Sequence, residues 1–354
     1  MSVSVTSPSL REKIGQLLNV GFRGCHASEV GAVVRDIREH HVGGVIFFDQ
    51  EMVDGSAGKR NVESPEQVKA LIAHLQAQAK VPLLVSVDQE GGRVNRLKPV
   101  YGFPESISHE ELGKLGHVGE TYRHAEATAR TLRSVGFNLN LAPVVDLDAN
   151  PDNPIIKGKK RSFAADPEVV ARHAAEFVRA HRALGVVACA KHFPGHGSAK
   201  GDTHLGLVDV TATWHERELV PFRRLIEAGL CDMIMSAHVF NAKLDPDRPA
   251  TLSKRVITGM LREQLGFKGV ITSDDMEMKA ISSQYGLENS MPAALEAGID
   301  VLCFGNNLSY DADIAPKTIA IIERAVQSGR LSEARIAESY ERVLALKRKA
   351  GLIP

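Results

Sequence analysis

Acids, bases and imidazoles recur in this chain directly after short apolar runs. Asp88 and Glu90 follow LLVSV, Asp146 follows APVV, Lys191 and His192 follow VVACA, His238 follows MIMSA, and Asp274 and Asp275 follow GVITS. A single charge in such a place caps a helix or faces solvent. Five run ends that carry carboxylate, ammonium or imidazole point to a shared site. The densest stretch is Lys191–His204, KHFPGHGSAKGDTH, with three His, one Asp and four Gly or Pro residues. Asp202 stands two residues before His204, close enough for the carboxylate to orient the imidazole and stabilise its charge, and such a pair moves protons near neutral pH. Metal binding is the rival use, because His192, His196, Asp202, His204 and His238 are ligand types. The HxxxH spacing encloses Pro194 and Gly195, unlike the helical zinc pattern with its glutamate, so no metal is expected.

Eight apolar runs, often β-branched, precede or contain these groups: LLNVGF from Leu17, GGVIFF from Gly43, PLLVSVD from Pro82, FNLNLAPVVD from Phe137, VVACAKHF from Val186, MIMSAHVF from Met233, GVITSDD from Gly269 and VLCFG from Val301. They are continuous rather than alternating in polarity, as suits parallel strands buried on both faces. Helical stretches lie between them. Ser64-Pro65-Glu66 and Asp166-Pro167-Glu168 are start signals, each with an N-cap followed by proline. Gly185 ends the second helix. Thr213 with Glu216 reads as a capping box, Ser253 precedes another helix, and the last helix runs through ARIAESYERVLALKRK. Eight strands alternating with helices predict an α/β fold, a (β/α)8 TIM-type barrel in a single domain over residues 1–354. LLNVGF also fits a helix end, and a doubly wound open sheet is the runner-up. A barrel requires catalytic groups at the C-terminal strand ends, where the polar residues above fall.

The 354 residues include 43 Lys and Arg against 43 Asp and Glu, with 44% hydrophobic and 24% charged residues. That composition is ordinary for a globular chain and excludes disorder. A formal charge of zero gives no reason to expect nucleic acid or an anionic membrane as partner. No apolar run approaches the roughly 18 residues of a membrane span. The first residues, MSVSVTSPSLREKIGQLL, lack the basic start and apolar core of a secretion signal. Cys25, Cys189, Cys231 and Cys303 show no CxxC spacing and read as free thiols, so a reducing cytoplasm is the expected compartment.

Five blocks in order carry a family resemblance. They are Asp88-Gln89-Glu90-Gly91-Gly92-Arg93-Val94 with Arg96; Asn140-Leu141-Ala142-Pro143-Val144-Val145-Asp146; Arg161-Ser162-Phe163; KHFPGHG followed by Asp202-Thr203-His204; and Ser273-Asp274-Asp275-Met276 with Met278. Together, from about Ile14 to the C-terminus, they resemble the β-N-acetylhexosaminidases of glycoside hydrolase family 3. The resemblance implies a retaining exo-β-N-acetylglucosaminidase that removes terminal β-linked N-acetylglucosamine through a covalent glycosyl-enzyme, acting on peptidoglycan-derived fragments in cell-wall recycling. It implies Asp274 as nucleophile, with Asp275 the competing carboxylate. It further implies His204 as acid/base supported by Asp202, and Asp88, Arg96, Arg161, Lys191 and His192 as the sugar clamp. It implies no cofactor or metal, a small saccharide or muropeptide as partner, and a monomer or weak oligomer. Met276 and Met278 read as packing residues.

The chain departs from the family pattern in three places. Thr203 stands where serine is commoner, LGLVDV lacks an expected proline, and Asn150–Lys160 is longer and more basic than usual. These bear on aglycone preference and loop motion. A β-glucosidase, a phosphorylase and a non-catalytic sugar-binding barrel are the competing readings.

Overall fold

The computed structural model describes residues 7–51 and 58–354. Residues 1–6, part of the segment read for a secretion signal, lie outside the described residues. Eight parallel strands close into a barrel: β1 Leu18–Gly21, β2 Gly44–Phe47, β3 Leu84–Val87, β4 Leu139–Asn140, β5 Val187–Phe193, β6 Met233–Ser236, β7 Val270–Asp275 and β8 Val301–Phe304. Each pairs with its neighbours in sequence, and β1 closes the ring by pairing with both sides, Asn19 opposite Gly44 and Leu18 opposite Leu302. The expected barrel is therefore present, and LLNVGF is its first strand rather than a helix end. The runs are uniformly apolar because the strands are covered by helices outside and by each other's side chains inside. Outside, Phe47 packs edge-on against Phe22 and Phe137, with ring centroids 5.0 and 5.1 Å away.

Three expectations need correction. Only Leu139 and Asn140 of FNLNLAPVVD form regular strand, because Pro143 has no N–H for a ladder; beyond them Cys189 N donates to the Ala142 carbonyl at 2.9 Å and a single bridge joins Val144 to Lys191. In MIMSAHVF the barrel strand stops at Ser236, and Val239–Phe240 leave the barrel to pair with Val208–Asp209. Thr213 caps nothing. The chain enters the helix Val220–Glu227 through a 3₁₀ turn, Glu216–Leu219, where the His215 ring accepts from Arg217 N at 3.2 Å, and Pro221 sits in the helix's first turn.

The other start signals hold. Ser64 Oγ accepts from Gln67 N at 3.1 Å, and Asp166 Oδ1 accepts from Glu168 N at 2.8 Å. Ser253 Oγ accepts from Val256 N at 3.1 Å, ahead of the wide-turned i→i+5 helix Arg255–Gln264. The last helix, Glu333–Lys349, seals the N-terminal end of the barrel. There Lys347 is fully buried, its Nζ donating to Gln16 Oε1 at 2.8 Å and to the Gly43 carbonyl at 3.0 Å. Burial with no counter-ion pushes this amine down to about 7. All four cysteines are free, Cys231 half-buried and the others buried. No described helix is long and apolar enough to cross a membrane.

Candidate active site

At the C-terminal end of β3 the chain makes a tight ribbon, Gln89–Gly91 against Val94–Asn95. Gly91 has φ +98°, and a Cβ there would lie 2.1 Å from the Ile107 carbonyl, which explains the paired glycines. Gln89 fixes the path of the chain beyond the ribbon: its Oε1 accepts from the N–H groups of Arg96 and Leu97 at 3.1 and 3.0 Å. Arg96 is thereby turned toward Asp88, with Nη2 to Oδ2 at 3.7 Å. Asp88 Oδ1 in turn accepts from Lys191 Nζ at 2.6 Å.

Glu90 is the buried hub of this half of the site. Arg161 grips it with two bonds of 2.7 and 2.8 Å, and Lys191 Nζ stands 2.7 Å from its Oε1. Burial pushes the Glu90 carboxyl up, but the two cations outweigh it and hold it well below the usual range. Lys191 and Arg161 remain charged for the reciprocal reason: burial lowers both, and their carboxylate neighbours raise them further. Arg161 ends a basic run but does not share its solvated face. Lys157 pairs with Asp148 at 2.6 Å and Glu110 at 3.1 Å, whereas Arg161 turns inward.

At the end of β4, buried Asp146 accepts from His192 Nδ1 at 2.6 Å and from His196 N at 2.7 Å. Arg161 Nη2 donates to His192 Nε2 at 3.3 Å, so the Nδ1 proton lies toward Asp146. Both His192 nitrogens are therefore used. His238, beyond β6, is also occupied, with Nδ1 2.8 Å from Thr251 Oγ1 and Nε2 donating to the Asp275 carbonyl at 2.9 Å. Among the described residues no three His, Cys, Asp or Glu side chains converge as metal ligands.

β7 ends in two adjacent carboxylates with opposite electrostatics. Asp274 is pushed up by burial, but His192, His238 and His204 outweigh this and bring it down to about 2. Asp275 is pushed up to about 6 by burial and by the Asp274 charge, against bonds from the Gly305 and Glu277 N–H groups. Near neutral pH the first is thus firmly anionic, while the second is turned to backbone amides: its Oδ1 accepts from Glu277 N at 3.0 Å. Met276 and Met278 are buried, as packing residues are.

After β5, the loop reaches back over the barrel mouth. Asp202 Oδ1 accepts from His204 N at 2.9 Å and from His204 Nδ1 at 2.7 Å, which leaves Nε2 free to act. Burial lowers the imidazolium, but the Asp202 bond and the charges of Asp274 and Asp202 raise it above its ordinary value. Asp88, Arg96, Arg161, Lys191, His192, His204 and Asp274 all line one cleft, with Asp202 behind His204. An anionic carboxylate, a proton-shuttling imidazole and fixed cations around one space suit displacement at a sugar carbon.

The sequence reading missed the scaffold of that loop. Asn153 Nδ2 donates to the His196 and Gly197 carbonyls at 2.8 and 3.0 Å, and Asn150 Nδ2 to the Ala199 carbonyl at 2.9 Å. The Asn150–Lys160 segment is thus the loop's support, and Lys159 from it lines the cleft. Glu90 and Asp146 stood out as strand-end charges, and their role as buried orienters emerges only from the fold.

The glycosyl hydrolase family 3 N terminal domain matches residues 9–346. The chain is 32% identical over 340 residues to Beta-hexosaminidase A of Pseudoalteromonas piscicida, covering 88% of this chain but only 54% of that relative. It is 39% identical over 302 residues to a Beta-hexosaminidase of Stenotrophomonas maltophilia, covering 81% and 82% of the two chains. Among solved structures, a glycoside hydrolase family 3 beta-N-acetylglucosaminidase from Paenibacillus sp. str. FPU-7 superposes with TM-score 0.89 at 39% identity, covering 98% of this chain and 63% of that one.

Proposed function

The chain belongs to glycosyl hydrolase family 3, and from that membership we propose that it is a retaining exo-β-N-acetylglucosaminidase. One observation carries the reading. The Asp274 carboxylate, held ionised, and the Asp202–His204 pair face the same cleft. In the first step the Asp274 carboxylate attacks the anomeric carbon, the bond to the leaving oxygen breaks, and protonated His204 gives that oxygen its proton. In the second, neutral His204 takes a proton from water as the water attacks the same carbon, and the ester to Asp274 breaks. A raised imidazolium suits the first role, and the neutral imidazole left after it gives up its proton is the base that the second needs. Asp88, Arg96, Lys191 and Arg161 hold the sugar by charge-assisted bonds, His192 lines the same cleft against Arg161, and Glu90 and Asp146 fix their directions.

The substrates we propose are small fragments ending in β-linked N-acetylglucosamine, including muropeptides, in cytoplasmic cell-wall recycling. The named activities of the relatives and the polar, compact cleft support this reading. It is tested with para-nitrophenyl N-acetyl-β-glucosaminide beside the corresponding glucoside, with and without phosphate. The expected result is phosphate-independent release from the acetamido sugar. Preference for the glucoside, or a requirement for phosphate, would move the assignment to a β-glucosidase or a phosphorylase.

A further inference from the structure

Beneath the loop that bears His204 lies a buried carboxyl that the reaction scheme does not use. Glu218 belongs to the 3₁₀ turn Glu216–Leu219 and is 2% exposed. Its Oε2 accepts a hydrogen bond from Gly197 N at 3.0 Å, and Ser198 lies against the same carboxyl. Gly195, at φ +123°, passes so close that a Cβ there would stand 2.7 Å from Glu218 Cβ and from Oε2. Four residues before Glu218, Trp214 Nε1 donates to the Pro194 carbonyl at 3.0 Å. The segment Trp214–Glu218 therefore grips Pro194–Ser198, the root of the loop, at two points.

Past the root the ties thin. Asn150 Nδ2 holds the Ala199 carbonyl at 2.9 Å, and Thr203 Oγ1 stands 3.5 Å from His196 Nε2, a root residue. His204 and Leu205 bond back to Asp202 inside the tip, and Ala280 N reaches the Thr203 carbonyl at 3.2 Å. The position of the Asp202–His204 pair over the cleft is thus largely inherited from the root. We propose that Glu218 is a positioning residue for the reaction: with Trp214 it clamps Pro194–Ser198 and so sets where His204 stands relative to the bond being broken. The inference rests on the acid/base reading of His204.

The groups that face Glu218 are Asp146 from the end of β4, Ser198 from the loop and the backbone of His215 from its own turn. Burial first, with Asp146 adding to it, raises this carboxyl to about 7, so near neutral pH the neutral acid is well populated. Glutamine is accordingly a close replacement, since its carbonyl can accept from Gly197 N.

The test compares Glu218→Ala, Glu218→Gln and His204→Ala in the full chain on two substrates: para-nitrophenyl N-acetyl-β-glucosaminide, whose leaving group needs little protonation, and a disaccharide of β-linked N-acetylglucosamine, whose leaving group needs it. Loss of general acid assistance costs about 10²–10⁴-fold where it is required. Glu218→Ala is expected to lose about 10-fold more kcat/KM on the disaccharide than on the nitrophenyl sugar, a partial version of that loss. Glu218→Gln is expected to restore most of it. Equal losses on both substrates, or a Gln variant as impaired as the Ala variant, would overturn the clamp while leaving His204's role intact. A His204→Ala variant indifferent to the leaving group would overturn the acid/base reading, and this inference with it. Should Glu218→Ala fail to fold, Trp214→Phe removes only the second grip, and it is expected to show a smaller loss of the same kind; no such bias would overturn the proposal.

Discussion

In the proposed reaction Asp202 and His204 divide one task between them, and the division has a pH signature. The imidazole must carry a proton to assist departure of a sugar, so kcat/KM on a disaccharide should fall as pH rises through the His204 value, which Asp202 and Asp274 hold above the ordinary range. Removing the Asp202 charge lowers that value. Asp202→Asn should therefore move the basic limb to lower pH, with a milder rate loss than His204→Ala. A limb that stays in place in the pH–rate profile would mean that Asp202 does not tune the imidazole. If Asp274 is the nucleophile, the acidic limb should be set by it and lie far down, since its carboxyl is held down to about 2. The pair was readable from sequence because its members are two residues apart. The opposite electrostatics of Asp274 and Asp275 were not, because they depend on which carboxylate faces three imidazoles and which faces backbone amides; the resemblance alone favours Asp274.

Strands and loops show why the rest was or was not legible. Asp88, Lys191 and Asp274 could be placed because parallel strands buried on both faces announce themselves as apolar runs, and a barrel sends every run's end to one mouth. Glu218 and Asn153 are ordinary polar residues in sequence, and their partners lie 21 and 43 or 44 positions away. The misplaced cap at Thr213 has a local cause, since the His215 ring accepts from Arg217 N instead. Asn153 gives a prediction at this scale. Its Oδ1 accepts from the Ile155 and Ile156 N–H groups at 2.9 and 2.8 Å while Nδ2 holds the loop carbonyls. Asn153→Asp keeps the first pair and sets oxygen against oxygen in the second. Buried mismatches of this kind cost about 1–3 kcal/mol each. A lower Tm is expected in thermal unfolding, and an unchanged Tm would show that the loop root does not depend on this residue.

For the molecule as a whole, the two ends of the barrel have separate work: one bears the cleft, the other is sealed by the last helix. Lys347 in that seal makes stability depend on pH. Its amine is down to about 7 when folded, whereas an unfolded lysine titrates near 10.4. Between those values the unfolded chain holds a proton that the native chain lacks, so stability rises with pH by about 1.4 kcal/mol per unit from this group. Lys347→Met removes that slope. The difference in Tm between parent and variant should shift in the parent's favour from pH 7 to 10, and parallel curves would show that Lys347 stays charged in the seal. At the opposite end, the proposed ester on Asp274 can be caught by mass. His204→Ala incubated with para-nitrophenyl N-acetyl-β-glucosaminide forms the ester quickly and hydrolyses it slowly, because the first step needs little acid and the second needs a base. Intact-protein mass spectrometry should show the mass of one N-acetylhexosaminyl group added, and peptide mapping should place it on Asp274. An unmodified protein during steady turnover, or a sugar found on another residue, would rule out Asp274 as the nucleophile.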